Sequence, residues 1–135
     1  MVAQHTEVCV AESAEEIASL FDRWNNSART GDAHKVMANY AAKSVLIPMG
    51  SNRPRLTLDD KEDSFHHFLE NRPVGCINSR TIKFDCNTAI SEGLYTLTFE
   101  KTGTQVHGRY TLVYKWDGWE WLITSHHSSA LPDGD

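Results

Sequence analysis

The chain has 135 residues, 40% apolar and 23% charged, with a formal net charge of −5. That length predicts a single domain able to bury a core without metals or disulfides, and the composition is that of a soluble folded chain. The acidic balance, with no basic block, argues against nucleic acid as a partner, and no apolar run approaches the roughly 20 residues that span a membrane.

Residues 1–12 read as a loose arm. They hold Glu7 and Glu12 and no basic start, so no secretory signal is expected. The expected location is cytoplasmic, or plastid if a targeting segment has been removed. Ser13 with Glu16 forms a capping box. Behind it Ile17, Leu20, Phe21, Trp24 and Ala28 make one apolar helical stripe. Gly31 ends this helix and Asp32 caps a second, short one with Val36, Met37 and Tyr40 on one face. Val45, Leu46 and Ile47 give a brief buried strand closed by Pro48, and residues 49–55 read as a loop. Thr57 with Asp60 caps a third helix whose Phe65, Phe68 and Leu69 face inward; Arg72-Pro73 stops it.

From Cys76 onward the pattern turns to strands, over 80–85, 94–101, 105–116 and 119–129. The Asp117-Gly118 pair between two alternating runs is the strongest hairpin signal in the chain. Helices followed by an antiparallel meander predict an α+β domain over 13–132, its three helices covering one face of a curved sheet. Residues 133–135 are a tail. Cys9, Cys76 and Cys86 show neither a metal-type spacing nor a C-x-x-C, so reduced structural thiols are expected.

Period 2 sorts the last two strands into faces. Arg109, Thr111, Val113 and Lys115 share one face; Tyr110, Leu112, Tyr114 and Trp116 share the other. Ile123, Ser125, His127 and Ser129 lie together, opposite Leu122, Thr124, His126 and Ser128. Two arrangements are open. In one, Arg109, Thr111, His127 and Ser129 line a polar pocket beneath the helices, and the aromatic row packs against another subunit. In the other, the aromatic row is the core and Arg109 is exposed.

Seven histidines invite a metal reading, but the spacing opposes it. His126 and His127 on a strand point to opposite faces, and His66 and His67 on a helix stand about 100° apart. No H-x-H or H-E-x-x-H is present, nor a nucleophile elbow, phosphate loop or dinucleotide fingerprint. No metal and no cofactor are therefore expected. Asp22 and Asp85 are possible acid–base carboxylates. The densest polar cluster is Ser125-His126-His127-Ser128-Ser129. There His127 is a candidate base or donor, Ser129 shares its face, and Arg109 on the next strand can offer fixed positive charge to a small anion. Tyr40 and Trp24 are candidates to close the cavity. A plain polar network beneath the helices is the competing reading.

Several segments carry a resemblance. They are Ser51-Asn52-Arg53-Pro54-Arg55, Arg72-Pro73-Val74-Gly75, Cys86-Asn87-Thr88-Ala89, Gly93-Leu94-Tyr95-Thr96, Trp116-Asp117-Gly118 and Ser125-His126-His127-Ser128-Ser129-Ala130-Leu131-Pro132. Together they resemble the iota-class carbonic anhydrases of cyanobacteria, diatoms and related algae. Those proteins are similar to the association domain of calcium/calmodulin-dependent protein kinase II, within the cystatin-like, nuclear transport factor 2-like superfamily. The resemblance spans roughly residues 13–132, and the last-strand segment is its most specific part.

The resemblance implies a cystatin-like cone with a pocket at its wide end, and a homodimer formed through the outer face of the sheet. It also implies reversible hydration of CO2 to bicarbonate without a metal. The implied catalytic groups are His127, Ser129, Tyr40 and Thr111. Arg109, Trp24 and Ser125 would bind substrate, Ser125 standing where many relatives have a third histidine. The alternative is a non-catalytic oligomerisation domain whose pocket binds a small carboxylate. An isomerase or hydrolase of this fold would need a buried Asp or Glu in the pocket.

Overall fold

Ser13 accepts a hydrogen bond from the Glu16 amide at 3.2 Å, and helix α1 (Ala14–Arg29) starts behind that cap. The computed structural model describes residues 13–132, so the proposed arm, the tail and Cys9 lie outside the described residues. Ile17, Leu20, Trp24 and Ala28 are buried, as the 3.6-residue stripe requires. Asp32 accepts from the His34 amide and opens α2 (Ala33–Met37).

Tyr40 does not extend this helix. The Asn39 backbone amide and side-chain amide both donate to the Val36 carbonyl, closing the turn, and the Asn39 carbonyl accepts from the Ile123 amide at 2.8 Å. The chain is thereby drawn into the sheet, and Tyr40 becomes the first residue of β1 (Tyr40–Ile47). This strand is much longer than the three residues legible in the sequence. Its register breaks between Tyr40 and Val45. There the buried Lys61 ammonium reaches the Ala42 carbonyl at 3.3 Å, satisfying an oxygen the ladder leaves out.

Thr57 accepts from the Asp60 amide and caps α3 (Leu58–Leu69). Arg72, at φ 52°, reverses the chain into β2 (Pro73–Phe84). Then follow β3 (Thr88–Phe99), β4 (Thr104–Trp116) and β5 (Trp121–Ala130). Trp119, expected at the start of the last strand, sits in the turn and is 87% exposed. Asp117 accepts from the Trp119 and Glu120 amides, which holds that turn open ahead of the strand.

The strand order is β1-β5-β4-β3-β2. Strands β2 to β5 form the expected antiparallel meander, and β1 adds to β5 in parallel at the edge. Register shifts in the β2–β3 and β4–β5 pairs bend the sheet towards the helices. The core lies between helices and sheet. Tyr110, Leu112 and Tyr114 are buried in it, and Trp116 packs on Trp121 with ring centroids 5.8 Å apart. The aromatic row is thus core, and the arrangement that turned it towards another subunit is corrected. An aromatic row of this size is worth most where the helices can cover it completely. Asn25 stitches α1 to β2, donating to the Gly75 carbonyl at 2.7 Å and accepting from the Gly75 amide at 3.0 Å. Cys76 is a free exposed thiol, but Cys86 is disulfide-bonded, which corrects the expectation that both are reduced.

Candidate active site

The site is set by one extra residue. Tyr114 pairs with Ile123, yet the next position, Val113, pairs with Ser125. Thr124 therefore has no partner of its own, and the inward and outward positions of β5 exchange at that bulge. Ile123 faces the core before it. After it His126, opposite Leu112, and Ser128, opposite Tyr110, face inward. Strict alternation from Ile123 would turn His127 inward instead.

Beneath the helices lies a cavity of about 390 Å³. Phe21, Trp24, Phe65, Phe68, Phe99 and Leu112 are among the side chains that line it. Phe21 stacks on Trp24 with ring centroids 6.1 Å apart, while Trp24 meets Phe68 tilted at 6.0 Å and Phe68 meets Phe99 edge to face at 6.2 Å. Tyr95, His126 and Ser128 supply a polar end. Towards solvent the lining holds the exposed His67 and the part-exposed Ser51 and Arg55, whose guanidinium donates to Ser51 Oγ at 3.2 Å. Among the described residues no Asp or Glu lines this cavity, so none of them supplies the carboxylate an acid–base isomerase or hydrolase would need there.

The polar end is a continuous hydrogen-bonded chain. Trp24 Nε1 donates to Tyr40 Oη at 3.0 Å. Tyr40 Oη lies 2.7 Å from His126 Nδ1, and His126 Nε2 lies 3.2 Å from Ser128 Oγ. Tyr95 Oη donates to the same Ser128 Oγ at 3.0 Å. Burial pushes the His126 pKa down to about 4, with a smaller push from the charge of His127. Burial also raises the Tyr40 phenol far above its ordinary range, against an opposing hydrogen bond from Trp24. The Tyr95 phenol is raised by burial and partly offset by Ser128. At neutral pH the whole chain is uncharged, and every group in it is a hydrogen-bonding neutral.

Of the residues expected at the site, Trp24 lines the cavity and Tyr40 stands behind it, bonded to both Trp24 and His126. Arg109, Thr111, His127 and Ser129 do come together, as Arg109–Ser129 and Thr111–His127 register pairs. They line a separate shallow pocket of about 190 Å³ on the outer face of the sheet, not the cavity under the helices. The expectation that this pocket lies beneath the helices is corrected: Tyr110, Leu112 and Tyr114 take the inward positions of β4, so Arg109 and Thr111 face out, and the bulge at Thr124 turns His127 and Ser129 out beside them. Ser125, paired with Val113, lines neither pocket. Periodicity does not reach His126, Ser128, Tyr95 or Arg55. Register would have, because His126 and Ser128 sit opposite Leu112 and Tyr110 once those are core. Among the described residues, no three His, Cys, Asp or Glu side chains are grouped so as to hold a metal ion. No helix among them is long and apolar enough to cross a membrane.

Residues 13–132 match the family of the calcium/calmodulin dependent protein kinase II association domain. The chain belongs to that family. A proposed member of it from Xanthomonas campestris is 40% identical, with a TM-score of 0.86 over 98% of this chain and 99% of the other. A cystatin-like protein of unknown function from Nostoc punctiforme is 14% identical, with a TM-score of 0.76 over 94% and 97%. A proposed dehydratase of the NTF2-like family from Streptomyces avermitilis is 12% identical, with a TM-score of 0.77 over 87% and 95%. No curated protein matches the sequence. In this association domain the α+β cone expected from the sequence is present, with helices on the concave side and the cavity between.

Proposed function

We propose that this association domain catalyses the reversible hydration of CO2 to bicarbonate without a metal, in the cavity beneath its helices. The observation that carries this reading is the neutral Tyr40–His126–Ser128–Tyr95 chain at one end of a cavity whose inner wall is formed by apolar side chains such as Trp24, Phe68, Leu97 and Leu112. CO2 is an apolar molecule with two acceptor oxygens, and such a cavity suits both properties. The iota-class resemblance of the last strand points to the same chemistry.

The roles follow from the contacts. The Ser128 hydroxyl donates to a CO2 oxygen and stabilises the charge that builds there as a water attacks carbon. His126, with both nitrogens engaged by protein hydroxyls, is a positioning residue for Ser128 and has no nitrogen left to ligate an ion. Tyr40 holds His126 and Trp24 holds Tyr40. The proton released with bicarbonate leaves through the solvent side of the cavity to buffer. With no metal to acidify the attacking water, turnover is modest. The test is stopped-flow CO2 hydration in buffer containing chelator. Hydration above the buffer rate, lost in Ser128→Ala, is expected; a rate equal to buffer alone overturns the reading.

The non-catalytic reading retains one specific support, the Arg55 guanidinium at the solvent side of the cavity, which suits a small carboxylate. The outer face carries Ile90, Leu94, Val113 and Leu122 beside the Arg109 cluster. We read this face as the surface through which two copies pair, and light scattering on the full chain measures it.

A further inference from the structure

CO2 fills only a small part of a cavity of about 390 Å³ whose lining includes the rings of Phe21, Trp24, Phe65, Phe68 and Phe99. A volume of that order is the usual size for an organic ligand of one to three rings. The polar end states what such a ligand must offer. Tyr40 is buried and does not line the cavity. Its oxygen accepts from Trp24, so among the described residues the acceptor in reach of its own hydrogen is His126 Nδ1. The His126 proton is then on Nε2, and it is donated to Ser128 Oγ. Tyr95 donates to the same oxygen. Both lone pairs of Ser128 Oγ are thus used, and its own hydrogen has no acceptor among the described residues. The opposite sense of the chain would strand the Tyr40 hydrogen in the core, at the cost of an unmade buried hydrogen bond. Ser128 is only 9% exposed, and it lines the cavity.

We infer that the cavity binds a neutral cyclic carbonyl compound of about two fused rings, its carbonyl oxygen accepting from Ser128 Oγ–H and its ring system lying among Phe21, Trp24, Phe68 and Phe99. The absence of Asp and Glu from the lining leaves an amine without a counter-charge. The inference concerns binding and is independent of CO2 hydration, so the two fail separately.

The test is calorimetric titration of the full chain with 2-acetylnaphthalene and with 2-isopropenylnaphthalene, which replaces the carbonyl oxygen by CH2 at nearly constant shape. The ketone binds about three- to tenfold more tightly, the worth of one net hydrogen bond. The difference disappears in Ser128→Ala and persists in Tyr95→Phe, which leaves the spare Ser128 hydrogen in place. If Ser128→Ala does not fold, the ligand pair on the unsubstituted chain decides alone. Equal affinities, no binding of either, or a preference that survives in folded Ser128→Ala overturns the inference. So does tighter binding of 2-naphthoate, which would move recognition to Arg55, or of 2-naphthylmethylammonium.

Discussion

Tyr40 Oη and His126 Nδ1 are 2.7 Å apart, although 86 residues separate them in the chain, and their rings stack with centroids 5.9 Å apart. The contact joins the first strand to the last and fixes which ring nitrogen carries the proton. Tyr40→Phe keeps the stacking and removes the hydroxyl. Trp24 Nε1 and His126 Nδ1 then both lose a buried partner, at a cost of about 1–3 kcal/mol. Thermal denaturation should show a fall in Tm of several degrees. A Tm unchanged within a degree would mean that the contact contributes nothing.

Stability should fall with acid over a defined window. His126 titrates near 6.5 in the unfolded chain and is pushed down to about 4 in the fold. Between those values the unfolded state holds a proton that the folded state does not, so stability rises with pH there. The contribution is complete above pH 6.5, and up to about 3 kcal/mol is lost as pH falls to 4. Urea midpoints measured across that range should slope downward with acid, and the slope should shrink in His126→Phe. A parallel slope in the variant would assign the effect to other groups.

The fold was legible because its signals are local and redundant. Ser13, Asp32 and Thr57 each cap a helix, and Asp117-Gly118 turns a hairpin, wherever the rest of the chain goes. The site was legible only as a set of candidates. That Arg109, Thr111, His127 and Ser129 share one face is an arrangement alternation leaves open, and the Arg109–Ser129 and Thr111–His127 register pairs realise it. The face of Arg109 and Thr111 is set by the burial of Tyr110, Leu112 and Tyr114, but which β5 residues stand opposite them depends on the single unpaired residue Thr124, and nothing in the local sequence marks a bulge there. Tyr40 was misplaced for a related reason: apolar spacing carries on past Met37, while the event that ends the helix is a tertiary bond from Ile123 to the Asn39 carbonyl.

The two faces of β5 can be told apart by function. Ser128→Ala removes the donor at the polar end of the cavity and should lower CO2 hydration by about 100-fold or more, the usual loss for one oxyanion donor. His127→Ala, on the outer face, should leave the rate within about twofold. Stopped-flow assays of both variants, with light scattering to follow self-association, separate the roles. Loss of activity in His127→Ala with the mass unchanged would return the base to the outer face and end the cavity assignment.

Gly93 lies beside the register shift of the β2–β3 pair, and the prediction there is steric. A Cβ at that position would lie 2.0 Å from the Ser79 carbonyl oxygen, where the β2–β3 register shifts between Ile77 and Ser79. The obstacle is backbone, so no rotamer change relieves it. Gly103 offers the contrasting case: its φ of 76° disfavours a side chain, but nothing stands within 4 Å of the added carbon. Gly103→Ala should therefore cost only the left-handed penalty of about 1–2 kcal/mol. Gly93→Ala must separate two paired strands or distort the bulge, so its cost should exceed the ordinary overpacking range of about 1–3 kcal/mol. Urea unfolding of both variants compares them directly. Equal losses would show that β2 can shift freely at the bulge, and the curvature that sets the cavity would then not depend on a fixed bend at Gly93.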